Sequence, residues 1–517
     1  MKLISWSLLF LIPQAFSNNC NLPIVSLPQG KSEKIDLITD INKVCSDELD
    51  RKFKDVSARF VLNSQCQLSV LKRNDFGKLV AFEEFNQREI VSAGEIICNL
   101  DGSMTITNNT KSFCFPKETL EPLFHILNAS KISFKFVDKL DLSCPKKTRI
   151  PDSTVVLIMI DGFSSEYVKK FSPPFLNQKI KEASFVKNLT PVFPSETTVS
   201  LQSIITGVEP NAHGLVGSKF YSPKLKRRFD FRDNRFFVIP PLWITLEQQA
   251  ILSAVESWPG SEVLINGRKP RFNLPYERSR SLENKLKFIL TSIKNGAKFV
   301  SIWIHDIDSS GHRFFNDSER MKIEVLRVDS FLSRMFKELT SLKNTDVQLL
   351  IASDHGMNKL DRSKKIDISS IDFSKGILEG SHVVLNYHDQ NNKNVQKIFK
   401  DLKKVSSHLG VYLRNQIPEE YRYNHNSNIG DLTLIADPGW IIDYGQTIKG
   451  NGVHGYLAKQ DPAMNGVLFA IGNKFKTNFN LTSADSREIH SLIIKLLNAG
   501  EPSTNFKKLE TLQLLLK

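Results

Sequence analysis

Val155-Val156-Leu157-Ile158-Met159-Ile160 is an unbroken apolar run that stops at Asp161-Gly162. Three other runs share its character. Phe299-Val300-Ser301-Ile302-Trp303-Ile304 leads into His305-Asp306-Ile307-Asp308. Val347-Gln348-Leu349-Leu350-Ile351-Ala352 leads into Ser353-Asp354-His355-Gly356, and Val467-Leu468-Phe469-Ala470-Ile471 ends in Gly472. Apolar runs of this length fit strands buried on both faces, as in a parallel sheet covered by helices. Helical spacing lies between them. Leu282, Leu286, Ile289 and Ile293 recur every three or four residues. Ile323, Leu326, Ser330 and Met335 do so less cleanly, in a segment running to about Leu342. This alternation predicts an α/β sandwich with a mostly parallel central sheet. Ligands of such sheets bind beyond the carboxyl ends of the strands, and three of the runs end there in Asp or Asp-His.

The residues at those ends have a common chemistry. Asp308 and His312 stand four apart, Asp354 and His355 are adjacent, Asp161 ends a third strand, and His454 lies in Gly452-Val453-His454-Gly455. Three carboxylates and three imidazoles suit a metal centre, zinc first, with iron or manganese compatible. Singly, each has an ordinary structural reading, since Asp after a strand often caps the next helix. A nucleophile candidate lies in Pro194-Ser195-Glu196-Thr197-Thr198. A hydroxyl there would need a divalent cation to activate it. Ser/Thr-rich stretches also cap helices, so composition alone does not select Thr197.

Residues 155–495 resemble the type I phosphodiesterase/nucleotide pyrophosphatase family, within the alkaline phosphatase superfamily. The matching stretches are IDGFSSEYV from Ile160, PVFPSETT from Pro191, TGVEPNAHGLVGSKFY from Thr206, PLWITLEQQ from Pro241 and SWPGSE from Ser257. DSSGH from Asp308, SDHGM from Ser353, IPEEYRYNHNSNIGDLTLIADPGW from Ile417 and HGY from His454 follow. The resemblance implies an alkaline phosphatase-like sandwich and two zinc ions. Asp308, His312 and His454 would hold one, and Asp161, Asp354, His355 and the Thr197 hydroxyl the other. Thr197 would attack phosphorus and form a covalent phospho-enzyme, which water then hydrolyses. All seven positions carry the expected residue type.

The departures concern the substrate. Nucleotide-cleaving members usually carry Lys-Thr-Phe where this chain has Glu196-Thr197-Thr198. Thr198 cannot stack on a base, a contact worth ~1–3 kcal/mol in single-stranded nucleic-acid sites. Tyr276 fits the opposite, stacking wall, and Trp258 and Glu262 fall in the matching pocket stretch. Ser218 stands where many relatives have an Asn that donates to a phosphate oxygen. Losing such a donor costs ~3–4 kcal/mol at comparable oxyanion sites. The expected activity is hydrolysis of phosphodiester or phosphoanhydride bonds in nucleotides or similar diesters. A phospholipase C-type choline phosphodiesterase and a weakly active binding protein on the same scaffold are the alternatives.

The rest of the chain sets the context. Met1–Ser17 has one early lysine, a short apolar run and small residues at Ala15 and Ser17, the layout of a secretory signal peptide. No later run is long enough to span a bilayer, so a secreted protein without a transmembrane anchor is expected. All six cysteines (Cys20, Cys45, Cys66, Cys98, Cys114 and Cys144) precede residue 145. In an exported segment they read as three disulfides, with 15 pairings open. Sequons at Asn108, Asn128, Asn188, Asn316 and Asn480 are candidate glycan sites. Val80–Phe85 and Glu89–Ile97 have strand-like composition. A polar, proline-marked break near 145–154 separates this N-terminal domain, 18–150, a candidate for binding an unknown partner, from a catalytic domain over 151–500 and a C-terminal tail over 501–517. The net charge of +14 would concentrate small anionic substrates. Specific nucleic-acid binding is not expected, because that charge is not read as a dense Lys/Arg tract interleaved with aromatics.

Overall fold

The computed structural model describes residues 151–517 apart from 316–317, 391–392, 449 and 503–505, together with five strands of the N-terminal segment. Those strands form one sheet in the order Leu68–Leu71, Val56–Asn63, Ile90–Cys98, Met104–Thr107, Phe134–Val137. The second strand-like stretch is thus found as Ile90–Cys98. Val80–Phe85, the signal peptide, the cysteine pairing and the sequons at Asn108, Asn128 and Asn316 lie outside the described residues.

The central sheet has eight strands: β1 (Ser153–Ile160), β2 (Ser184–Thr190), β3 (Ser253–Glu256), β4 (Phe272–Leu274), β5 (Phe299–Ile304), β6 (Asp346–Ser353), β7 (Gly466–Ile471) and β8 (Phe479–Asp485). Their order is β4-β3-β5-β1-β6-β7-β2-β8. All neighbours are parallel except β7, which runs antiparallel to both β6 and β2. The apolar run of β7 is therefore a sheet strand as expected, but of opposite direction. Its amino end, not its carboxyl end, lies on the side where β1, β5 and β6 finish. An apolar run carries no information on direction.

All eight residues of β1 are buried, and their alternation sorts them between two cores. Val155, Leu157 and Met159 join α2 (Thr197–Thr206) and α6 (Glu488–Leu496) through Leu201, Ile204, Ile489 and Leu492. Val156, Ile158 and Ile160 join α3 (Leu282–Lys294) and α5 (Ser318–Thr340) through Ile289, Val325, Val328 and Leu332. A short α1 (Pro174–Glu182) lies on the same face as α5, and α4 (Asp306–Phe314) follows β5. The apolar face expected for α3 is the buried one. The one expected for α5 is corrected. Ile323 is 64% exposed, while Met321, Val325, Val328, Phe331, Leu332, Met335 and Leu339 face the core.

A four-stranded antiparallel sheet, Gly376–Gly380, Val384–Asp389, Leu432–Ala436 and Leu409–Leu413 in that spatial order, packs with helix Val395–Leu402 around Leu385, Tyr387 and Leu402. The C-terminal stretch folds back on the main core. Leu512 and Leu515 are buried, and Lys476 N donates to Leu515 O at 2.8 Å. No helix among the described residues is long and apolar enough to cross a membrane.

Candidate active site

Three strand ends deliver the acidic groups. Asp161 follows β1, and its N–H donates to Ile304 O at 2.9 Å, which locks it to the end of β5. Gly162 then turns at φ +66°, and a Cβ there would lie 2.9 Å from Asp308 Cα. Only glycine permits that approach of the turn to α4. Asp308 sits in the first turn of α4 and His312 one turn on, so both project from one face. Asp354 ends β6, and its Oδ1 accepts from Gly162 N at 3.1 Å and His355 N at 2.9 Å. The 354–356 turn is backed by the segment entering β7: Gly356 N donates to Met464 O at 2.8 Å, and a Cβ on Gly356 would fall 1.9 Å from Ala463 O. His454 follows the short strand Gly452–Val453, which pairs with Asn358–Lys359.

The three histidines are held alike. Nδ1 of His312 is 3.0 Å from Gly452 O, that of His355 2.9 Å from Gly356 O, and that of His454 2.9 Å from Ser195 O. A carbonyl can only accept, so each Nδ1 carries the proton, and in the neutral ring each Nε2 presents a lone pair. Those lone pairs converge. Nε2 of His454 and His312 are 3.2 Å apart, and Asp308 Oδ1 lies 3.4 Å from His312 and 3.6 Å from His454. Nε2 of His355 is 3.4 Å from Asp161 Oδ1 and 3.6 Å from Asp354 Oδ2. The His355 ring also stacks on His454 at 4.0 Å, which places it between the two groups. Asp161, Asp354 and His355 have ligand atoms gathered closely enough to share one ion, and so do Asp308, His355 and His454. Asp308 Oδ1 and Asp354 Oδ2 are buried without a hydrogen-bond partner.

Electrostatics agree with a cation-binding role. Burial, then Asp354 and Asp308, push the Asp161 carboxyl well above its ordinary range. Burial pushes Asp354 up to about 7. Burial pulls His355 down, and with the help of His355 pulls His454 down to about 4. Neutral imidazoles and crowded carboxylates are a donor set that a divalent cation satisfies. The residues present therefore fit a metal.

Thr197 lies at the first turn of α2, its Oγ1 3.1 Å from His355 Nε2 and 3.3 Å from Asp161 Oδ1. Every ligand-type residue read from the sequence is thus brought to one place. The other candidates scatter. Thr198 is half-buried beside Thr197, and Ser218 is exposed. Glu196 is buried and points away, its Oε2 accepting from Ser218 N at 2.7 Å. Tyr276 is 40% exposed, whereas Trp258 is 1% exposed and packs edge-on against Trp243 in the core. Sequence reasoning did not single out two neighbours of Tyr276. Trp303 and His305 lie 5.5 and 5.9 Å from its ring, and the three form an aromatic shelf. The signal was available, since both precede Asp308 on the same strand end. One reading of charge is corrected as well. Lys224, Lys226, Arg227 and Arg228 make a dense exposed tract on a hairpin, followed by Phe229, which stacks on Phe220 at 5.0 Å, and by half-buried Phe231, over whose ring Arg232 lies.

A sequence model of the type I phosphodiesterase / nucleotide pyrophosphatase family matches residues 155–457. The bis(5'-adenosyl)-triphosphatase enpp4 of Xenopus laevis is 28% identical over 361 residues, covering 68% of this chain and 79% of that one. Human ectonucleotide pyrophosphatase/phosphodiesterase family member 5 is 28% identical over 376 residues, covering 69% and 77%. The solved structure of murine ectonucleotide pyrophosphatase/phosphodiesterase 5 superposes with a TM-score of 0.67 at 26% identity, over 71% of this chain and all of that one. An inactive variant of the murine protein, in complex with AMP, superposes equally well. With more than half of its length matched by the family and its sheet shared with that structure, the chain belongs to the type I phosphodiesterase / nucleotide pyrophosphatase family.

Proposed function

We propose that the protein is an exported, zinc-dependent phosphodiesterase that cleaves nucleotide diesters or phosphoanhydrides through a covalent phosphothreonine at Thr197. The observation that carries this reading is the gathering of three Nε2 lone pairs and three carboxylates, two of them with orphaned oxygens, in one cluster whose His355 and Asp161 touch the Thr197 hydroxyl. Asp308, His312 and His454 would hold one zinc, and Asp161, Asp354, His355 and Thr197 Oγ1 the other. Two such cations supply positive charge at the attacking and leaving oxygens of an in-line displacement.

The chain's own residues supply the rest. Thr197 Oγ1 has acceptors on both sides, Asp161 and His355. With Asp161 and His355 Nε2 engaged by the cation, the hydroxyl proton would pass to solvent, and an oxygen lone pair would be left for phosphorus. The Oγ1–P bond forms as the bond from phosphorus to the leaving oxygen breaks. The leaving group departs protonated by solvent, and water then cleaves the phosphothreonine and restores the hydroxyl. The amino end of α2 places backbone N–H groups and the positive end of its dipole beside the developing charge. Glu196 accepts from Ser218 N and so ties the segment carrying Ser218 to the residue before the nucleophile.

The Tyr276–Trp303–His305 shelf favours a planar substituent, which suits a nucleobase. The relative named as a bis(5'-adenosyl)-triphosphatase and the AMP complex of the murine structure point the same way. A choline phosphodiesterase is the second reading, favoured by Thr198 in place of a stacking aromatic. Zinc-loaded protein offered p-nitrophenyl-TMP, ATP and p-nitrophenylphosphorylcholine separates them. Preference for the nucleotides is expected, preference for the choline ester would replace the first reading by the second, and turnover of none would leave a binding protein.

A further inference from the structure

Behind the aromatic shelf lies a cluster of charges with no part in the metal site. Glu256 ends β3 and is 0% exposed. Lys285 Nζ, from α3, donates to both its oxygens at 2.6 and 2.7 Å. Arg280 donates to Oε1 at 2.8 Å and Ser257 Oγ to Oε1 at 2.5 Å.

Each donor also holds a backbone group that frames the shelf. Lys285 Nζ donates to Trp303 O at 3.0 Å. The Arg280 guanidinium donates to Pro275 O, the residue before Tyr276, at 2.8 Å, and to Glu277 Oε2, the residue after it, at 3.2 Å. Ser257 N donates to Leu274 O at 2.9 Å. Tyr276 N itself donates to Glu262 Oε1 at 2.8 Å. Glu256 is thus the node through which the strand carrying Trp303 and the loop carrying Tyr276 are set against each other.

An apolar filling of the same volume is often as stable as a buried ion cluster, or more so. What apolar contacts would not supply is fixed, directional bonds to two separate backbone segments. We propose that Glu256, Lys285 and Arg280 are positioning residues that set the spacing of Tyr276 and Trp303, and thereby the affinity of the site for the flat aromatic part of its substrate. None of the three touches the substrate. The inference rests on the phosphodiesterase reading of the site, but its test does not require turnover.

AMP is titrated calorimetrically into zinc-loaded, full-length protein carrying Thr197→Ala, with and without Lys285→Met. A roughly tenfold rise in Kd is expected on adding Lys285→Met. In the Thr197 protein, Lys285→Met should raise KM for p-nitrophenyl-TMP about tenfold with kcat within twofold. Turnover of methyl p-nitrophenyl phosphate, which has the same leaving group and no base, should stay within twofold. Adding Tyr276→Ala should cost little more, because both changes disable one shelf. Arg280→Gln, at the edge of the cluster, keeps the Glu256–Lys285 pair and should give a smaller rise of the same kind, which covers the case in which Lys285→Met does not fold. Equal loss on both esters, full additivity with Tyr276→Ala, or unchanged AMP affinity in Arg280→Gln would overturn the proposal. Absence of turnover with AMP affinity still weakened by Lys285→Met would sink the catalytic reading and leave this one standing.

Discussion

Thr197 is a small residue with a large assigned task, and its surroundings make the assignment testable. Its hydroxyl meets only acceptors, so Thr197→Ala removes one weak hydrogen bond and no packing of consequence. Thermal stability should be nearly unchanged, while turnover of p-nitrophenyl-TMP falls at least about a thousandfold, as when other covalent nucleophiles are removed. Turnover within tenfold of the parent would rule out Thr197 as the nucleophile. Glu196 offers a contrasting case. Glu196→Gln keeps the shape but weakens the charged acceptor of Ser218 N, a bond worth about 1.5–3 kcal/mol when one partner is ionised. The Gln amide oxygen still accepts, so only the difference from a neutral bond, about 1 kcal/mol, should be lost, read by denaturant unfolding. At this scale the sequence was legible where chemistry forces a residue type. Asp161, Asp308, His312, Asp354, His355 and His454 were legible because carboxylates and imidazoles, both donor types for divalent metals, recur at the ends of the apolar runs. Trp258 was not legible, since an indole in a pocket-wall stretch reads the same whether it faces the cleft or, as here, the core.

Among the elements, α5 shows what periodicity can and cannot supply. Its sequence from Ile323 to about Leu342 reads as a helix from spacing, but of Ile323, Leu326, Ser330 and Met335 only Met335 lies on the buried face. Ile323 is apolar and solvent-facing, and one such residue shifts the apparent phase of a long helix. Leu332→Ala should therefore cost about 2–5 kcal/mol through the cavity it leaves. Ile323→Ala should change stability by no more than about 0.5 kcal/mol. Comparable effects of the two substitutions on urea unfolding would contradict the packing described. The direction of β7 was illegible for a related reason. Burial on both faces fixes an apolar composition, and that composition is identical for parallel and antiparallel neighbours.

For the whole molecule, the candidate metal centre and the fold are energetically linked. Asp161 and Asp354 bind protons more tightly in the folded, metal-free protein than in the unfolded chain, because burial raises both carboxyls, Asp354 to about 7. The stability this linkage contributes is fully present below the unfolded pKa, near 4, and is lost as pH rises through about 7. Buried His355, His454, His213 and His490 are held below the ordinary imidazole range and contribute in the opposite sense. Their share is lost as pH falls through about 6.5. The carboxylate share is therefore read by difference: between pH 5 and pH 8 the melting temperature of chelated parent should change less favourably than that of chelated Asp354→Asn. Zinc reverses the trend, since ligation needs the deprotonated carboxylates, so the gain in Tm on adding zinc should grow with pH. Thermal melts with and without chelator at the two pH values check both statements. A gain that shrinks with pH would exclude these carboxylates as ligands. The α/β architecture at this scale followed from four apolar runs and the helices between them. The four-stranded antiparallel sheet around Leu385 and Tyr387 did not, because its strands are short and lie among polar segments that resemble loops.

The antiparallel course of β7 also bears on when the site can exist. During synthesis β6 emerges more than a hundred residues before β7, yet β2 and β8 join the sheet only through β7. The turn carrying Asp354 and His355 likewise waits for Met464 and Ala463 to back it, and His454 arrives just ahead of them. A ribosome-bound chain that ends before β7 holds most of its ligands on an unfinished sheet. On the two-zinc proposal, the ligand set is complete only once β7 has joined the sheet, so capture of metal would come late in folding, after most of the chain has been made.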